Sequence, residues 1–345
     1  MLLRYFSLLM IIGVGSPLMA DSVEIELGMG ASYYDPGLSR VLIEDKALVE
    51  SLTPLSFSFP GNANTRTDTA PFGFGQLDLY SNDFLVSIFF RGHYPTAHST
   101  YLRPSLTSIT RGSYEFEISD RIWGIGFNQV LYALNDRLRI VPGYGFIGYS
   151  QHLDMQGDVS FYSNSTTPAT IGYMKEEAGN ARSSAASVFF GLGFEYDWSE
   201  TVRLKAQIRY MPASHGSYDV TTTSYSRQIS PTSGGRTLTT IGTQFQDGSA
   251  RHALVTADFK IQYALNDYVQ LNTGLRYERI SSYYKEKPGY GYFVTHLQDS
   301  TGISQGAIVN FDAEYLSDPS IYRPLVRHNG SLYFSVTLRT GRDNI

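Results

Sequence analysis

The sequence has no cysteine. No disulfide and no thiolate-held metal can therefore substitute for a core, and the fold must be held by its own hydrogen bonds and packing. Beyond the first residues there is no run approaching the ~18 consecutive apolar residues of a membrane-crossing helix, which excludes a helical membrane protein. Charged residues are only 17% of the chain, and a formal net charge of −5 argues against a nucleic-acid partner. Nucleophile-elbow, phosphate-loop and zinc signatures are all missing, so no cofactor and no metal is expected.

What is abundant is aromatic and small: 26 Tyr, 20 Phe and 32 Gly, with no evident linker. The first twenty residues place Arg4 before an apolar run from Tyr5 to Val14 and end in Leu18, Met19 and Ala20. This is the pattern of a secretory signal peptide, with cleavage after Ala20 and one domain over residues 21–345.

The strongest signal is alternation with period two. Val202, Leu204, Ala206, Ile208 and Tyr210 alternate with Arg203, Lys205, Gln207 and Arg209. Val255 to Tyr263, Val269 to Tyr277 and Leu332 to Leu338 repeat it, as do segments beginning at Val23, Phe84 and Val188. Between Glu115 and Phe127 the phase slips, which predicts a bulge near Asp120 to Gly124. From Leu138 to Tyr149 the pattern blurs at Gly143, Gly145 and Gly148.

Tight turns are expected at Ser81-Asn82-Asp83, Asn135-Asp136, Ser199-Glu200 and Asn266-Asp267. They alternate with five long polar connections, roughly Asp35 to Ala70, His93 to Gly112, Tyr162 to Arg182, Ser224 to Ala250 and Lys285 to Asn329. The expected fold is all-β: a closed antiparallel transmembrane β-barrel of about ten strands, with short periplasmic turns and long extracellular loops. A soluble lipocalin-like barrel, with the apolar face inward, is the alternative.

In the transmembrane arrangement the polar face lines the lumen. Its expected residues are Glu24, Glu26, Asp78, Glu115, Glu117, Arg203, Lys205, Arg209, Asp258, Lys260, Arg276 and Glu278, in about equal signs. They are expected to pair across the interior as a polar core, or else to line a narrow conducting path. Tyr33, Tyr34, Tyr80, Tyr210, Tyr263, Tyr277, Tyr283 and Tyr284, with Trp123 and Trp198, are assigned to interfacial girdles. Tyr290 and Tyr292 are candidate ligand contacts on a loop. The seven histidines are scattered, and His93 with His98 is only a weak metal pattern.

Ten strands with five outer loops, and the texture of Ile208 to Tyr284 around Arg251 to Tyr263, Asn266-Asp267 and Tyr268 to Tyr284, resemble the omptins, outer-membrane endopeptidases. The resemblance implies an acidic pair near the second outer loop and an Asp with a His near the fourth, holding an attacking water. The second loop here reads Arg91-Gly92-His93-Tyr94-Pro95-Thr96-Ala97-His98, with no acidic pair. The fourth region supplies His215 and Asp219, in the reverse order. The matching catalytic motifs are thus missing, and His215 and Asp219 are the remaining catalytic candidates.

The expected function is non-enzymatic: a barrel in a bacterial outer membrane, reached through a cleaved signal peptide, presenting surface loops for binding or adhesion. Its expected partners are outer-membrane lipid and lipopolysaccharide, the barrel assembly machinery and an extracellular ligand. The alternatives are a narrow porin-like channel and an omptin-like endopeptidase.

Overall fold

The computed structural model describes residues 21–37, 62–67, 69–81, 84–104, 108–133, 137–163, 172–230, 236–286, 289–298, 304–313 and 325–340. The expected signal segment, and the centres of the turns at 82–83 and 134–136, lie outside them. The strands are β1 (Ser22–Tyr33), β2 (Asn62–Thr67), β3 (Ala70–Ser81), β4 (Phe84–His93), β5 (Thr96–Pro104), β6 (Ser108–Gln129), β7 (Leu131–Ala133) and β8 (Leu138–Ser163). They continue with β9 (Gly172–Asp197), β10 (Val202–Ser230), β11 (Arg236–Ala264), β12 (Val269–Glu286), β13 (Gly289–Gln298), β14 (Ser304–Ala313) and β15 (Leu325–Thr340).

Ten of these strands form a closed antiparallel ring, in the order β1, β3, β4, β6, β8, β9, β10, β11, β12, β15 and back to β1. The ring closes where β15 meets β1, from Val23 opposite Thr340 to Tyr33 opposite Gly330. β2 and β5 extend the wall beside β6, and β13 and β14 do the same beside β11.

Alternation decides which face of the wall is wet. In β15, Leu332, Phe334, Val336 and Leu338 face outward and exposed, while Tyr333, Ser335 and Thr337 are buried inside. In β1, Glu24 and Glu26 are buried inside and Leu27 and Met29 face out. An aqueous barrel would place these groups the other way round, so the lipocalin-like alternative does not describe this wall. The exposed apolar side chains gather near the short-turn end: Val188, Phe190, Leu192, Phe194 and Tyr196 on β9, and Phe259, Ile261 and Tyr263 on β11. Nine residues of strand tilted by ~45° rise ~20 Å, close to the ~25 Å apolar band of a membrane barrel.

The wall is much taller than that band. β8 and β9 have 26 residues each, and β10 and β11 have 29, where 9–11 cross a bilayer. Much of the expected third and fourth loops is therefore strand, and the second contains β5. Their Thr and Tyr content suits strands as well as it suits loops, and a wall standing in water has no need of an apolar face to betray it.

Three further expectations change. β6 carries no bulge, since its register with β8 runs unbroken from Ser108 opposite Ser163 to Asn128 opposite Gly143. The apparent slip arises because the apolar face changes sides. Phe116, Ile118 and Ile122 fill the interior, whereas Trp123 and Phe127 face outward lower down. The irregularity lies in β10 instead, between Met211 and Ser214, around Pro212, which has no N–H to give the ladder. The blurred alternation near Gly148 also has a cause: a Cβ there would lie 2.3 Å from the Trp123 ring of the neighbouring strand. Gly274 is covered in the same way by Tyr333. Of the girdle assignments, Tyr33, Tyr210, Tyr263, Tyr277, Tyr283, Trp123 and Trp198 face outward, but Tyr34 and Tyr284 are buried inside. Tyr80 also turns inward, donating to Glu24 at 3.3 Å.

The two fully described turns follow their side-chain chemistry. Asn266 Oδ1 accepts from the backbone of Tyr268 and Val269 at 2.8 Å each, and Ser199 Oγ accepts from Val202 N at 3.1 Å.

A charge placed on the band should reveal it. In lipid vesicles, Phe259→Arg or Leu275→Arg should cost ~2–4 kcal/mol in guanidinium unfolding. Thr221→Arg, on the extension, should stay within about 0.5 kcal/mol. Equal small effects at all three positions would contradict a lipid-facing band.

Candidate functional site

The interior is built in layers. Nearest the short turns, Glu195 receives Lys205 at 3.0 Å and Arg139 at 3.5 Å, and Asp197 receives Arg203 at 2.6 Å. Arg339 meets Glu24 at 2.6 Å, and Lys260 donates to Glu26 at 2.6 Å. Asn272 and Ser335 share the other oxygen of Glu26.

At mid-height, Arg276 pairs with Asp258 at 2.5 Å while its guanidinium lies over the rings of Phe72, Phe74 and Tyr333. Tyr333 donates to the second oxygen of Asp258 at 2.7 Å. Glu278, wholly buried, sits 3.1 Å from Arg91 and 2.9 Å from His93 Nε2. The opposite nitrogen of His93 meets Ser32 Oγ at 2.9 Å. Ser32, His93 and Glu278 thus have the order of a nucleophile, base and orienting acid. All three are 0–1% exposed, and Ser32 is also bonded to Ser331, so the set packs as a polar brace with no face open to a substrate.

Above this lies the tightest brace. Arg327 on β15 donates to Asp120 on β6 at 2.9 Å, to Tyr34 at 3.0 Å and to Tyr149 on β8. Tyr34 and Tyr149 both donate to Asp120, at 2.5 and 3.1 Å. β15 and β8 are five strands apart whichever way the ten-strand ring is followed, so Arg327 joins opposite walls. Around it pack Phe89, Ile122, Ile147, Phe189, Met211, Leu254 and Ile280, from seven different strands with Tyr149 among them. His252 bridges Ser183 at 2.6 Å and Ser282 at 2.8 Å beside them. A second apolar layer, with Phe116, Ile118, Leu153, Met155 and Tyr218, continues into the extension.

Of the twelve residues expected to line the lumen, ten face inward. Glu115 and Glu117 do not: they are exposed on the outer surface of β6, because Tyr114, Phe116 and Ile118 occupy the inward positions there. His215 is exposed on the outside of β10 and, among the described residues, receives Arg251 Nε at 3.4 Å. Asp219 is four residues further along the same strand, ~13 Å away, so the fold does not bring the two together. His93 and His98 point to opposite faces of the wall. Nothing is described of the side chains of Tyr290 and Tyr292. Among the described residues, no group of three His, Asp or Glu side chains could hold a metal.

The missed residues are Arg327 and Asp120, while Arg91, Glu195 and Arg339 stand on the polar face of their alternating segments but outside the expected lumen set, and His93 is expected only as part of a weak metal pattern. Asp120 was hidden by the supposed bulge, and Arg327 by assigning it to the fifth loop. Continuing the alternation of β15 backwards through Ser331, Asn329, Arg327 and Leu325 finds the inward face.

No protein-family model and no curated protein matches the sequence. Among solved structures, the outer membrane protease OmpT from Escherichia coli aligns over 93% of this chain and 97% of that one, with 9% identity and a TM-score of 0.48. The Ralstonia pickettii toluene transporter TbuX aligns over 93% and 90%, with 8% identity and a TM-score of 0.29. The monoaromatic hydrocarbon channel CymD aligns over 92% and 89%, with 9% identity and a TM-score of 0.26. These neighbours are outer-membrane β-barrel proteins, but likeness at this level transfers no residue's role.

Breaking the upper brace on one side should leave a buried charge. Arg327→Met should destabilise the refolded barrel by ~3–5 kcal/mol, and Arg327→Met/Asp120→Leu by less than the two single changes summed. Strict additivity in urea unfolding would show that the two groups are not coupled.

Proposed function

We propose that the chain is a bacterial outer-membrane barrel whose filled interior makes it a rigid mount, and that its activity is binding at the cell surface through the sheet that stands above the bilayer. The observation that carries this reading is the combination of strand length and internal packing. β10 and β11 run 29 residues each, while side chains from β4, β6, β8, β9, β10, β11, β12 and β15 meet across the interior. A conduit would need an open axis, whereas a mount gains stiffness from filling it.

The side assignment follows the rule for such barrels, in which short turns face the periplasm. The extension is the outer part. Its exposed positions on β10, including His215, Ser217, Thr223, Tyr225 and Arg227, offer hydroxyls, rings and charge without a continuous apolar patch. Such a surface suits polar ligands, with lipopolysaccharide sugars or another envelope protein as the expected classes.

Conduction is the second reading, favoured by the polar chamber on the short-turn side of the brace. A planar bilayer distinguishes them. The refolded native barrel should be electrically silent, and Arg203→Ala/Lys205→Ala should leave it silent. Stable conductance that changes with those substitutions would overturn the mount and place transport first.

A further inference from the structure

The layer of charges below the Arg327 brace contains an imbalance that the pairing does not remove. Arg91, Arg209 and Arg276 come from β4, β10 and β12 and, with Lys205 and Lys260, line one cavity of about 70 Å³ opposite four carboxylates, Glu24, Asp78, Glu195 and Asp258. Each arginine is at most 9% exposed. Arg276 has Asp258, and Arg91 has Glu278, but Arg209 makes no ion pair within 4.0 Å among the described residues. Its guanidinium rests over the Phe89 ring at 4.1 Å, where the charges of Arg91 and Arg276 act against it and those of Asp258 and Asp78 in its favour.

The unsatisfied atoms all have one polarity. Among the residues that line this cavity, the buried side-chain nitrogens with neither a hydrogen bond nor an ion-pair contact are Arg91 Nη2, Arg209 Nε and Arg276 Nη1, since Arg91 Nε faces Glu278 at 3.1 Å. Every one is a donor. A water molecule offers two lone pairs and must point its own hydrogens somewhere, whereas these walls present surplus N–H groups from three cations. An oxyanion accepts several such bonds at once and offsets the charge of Arg209. The cavity has room for several waters, or for one small oxyanion with part of its hydration.

We infer that this chamber is a binding site for a small oxyanion of phosphate size, held by Arg91, Arg209 and Arg276 and entered from the short-turn end. Passage from the other end is blocked by the Arg327 brace and its apolar surround. The site is independent of whatever the outer extension binds. Its occupant would stabilise the folded barrel, because a ligand that binds only the folded state shifts the folding equilibrium by mass action.

The test uses the refolded chain in detergent, with inorganic phosphate replacing chloride at constant ionic strength. The urea midpoint of the native protein should climb with phosphate. Above the dissociation constant, each tenfold increase should raise the folded-to-unfolded ratio about tenfold. Arg209→Met should lose that dependence, and Arg227→Gln, on the exposed extension, should keep it. A second readout covers the case in which Arg209→Met does not fold. The phosphorus-31 line of inorganic phosphate should broaden with added native barrel, and less with Arg209→Lys. A midpoint indifferent to phosphate, a dependence that survives Arg209→Met, or a line that native barrel and Arg209→Lys broaden equally would overturn the site.

Discussion

Everything in this structure depends on the closure of the sheet. A wall facing hydrocarbon has no water to satisfy a free edge, so each N–H and C=O must find a partner in a neighbouring strand. The chain meets that demand by joining its last strand to its first, and by pairing β6 directly with β8. Once the ring is closed, alternate residues have only two destinations. The outward set can be apolar over the height of a bilayer, and the inward set must settle its polar groups within a narrow lumen.

That second requirement explains the layering. Where the exterior is apolar, the interior carries acids and bases in pairs, with Glu26 held by Lys260 and Asp258 by Arg276. Further out, where the wall stands in water, the arrangement is that of a soluble barrel, with Phe116, Ile118, Leu153 and Met155 inside and polar groups outside. The Arg327–Asp120 brace lies at the change between the two regimes. A charged pair there is costly to desolvate, but its bonds to Tyr34 and Tyr149 bind opposite walls in one register. The brace also separates the chamber lined by Arg91, Arg209 and Arg276 from the outer end.

Much of this was legible in the sequence, because period-two alternation reports directly on the two faces. The order of ten strands, the two described turns and ten of the twelve inward charges follow from it. The misassigned charges and the supposed bulge on β6 share one physical origin: alternation shows that one face is apolar without showing which way that face points. Glu115 and Glu117 were placed inside on the assumption that charge always faces the lumen, which holds only over the membrane height. The change of sides on β6 looked like a bulge for the same reason. The upper brace was invisible because Tyr34, Asp120 and Arg327 are far apart in sequence and meet only when the ring closes. Strand lengths were underestimated because Ser- and Thr-rich segments have no apolar face to mark them.

The most direct test of the account is the accessibility of single cysteines, which the absence of native cysteine makes clean. Thr221→Cys, Leu275→Cys and Asn266→Cys would be exposed to a membrane-impermeant maleimide on intact cells and again after permeabilisation. The account predicts that Thr221→Cys is labelled at once, Asn266→Cys only after permeabilisation and Leu275→Cys in neither case. Labelling of Asn266→Cys on intact cells, or ready labelling of Leu275→Cys, would contradict a barrel that crosses the membrane with its band in lipid and its extension outside.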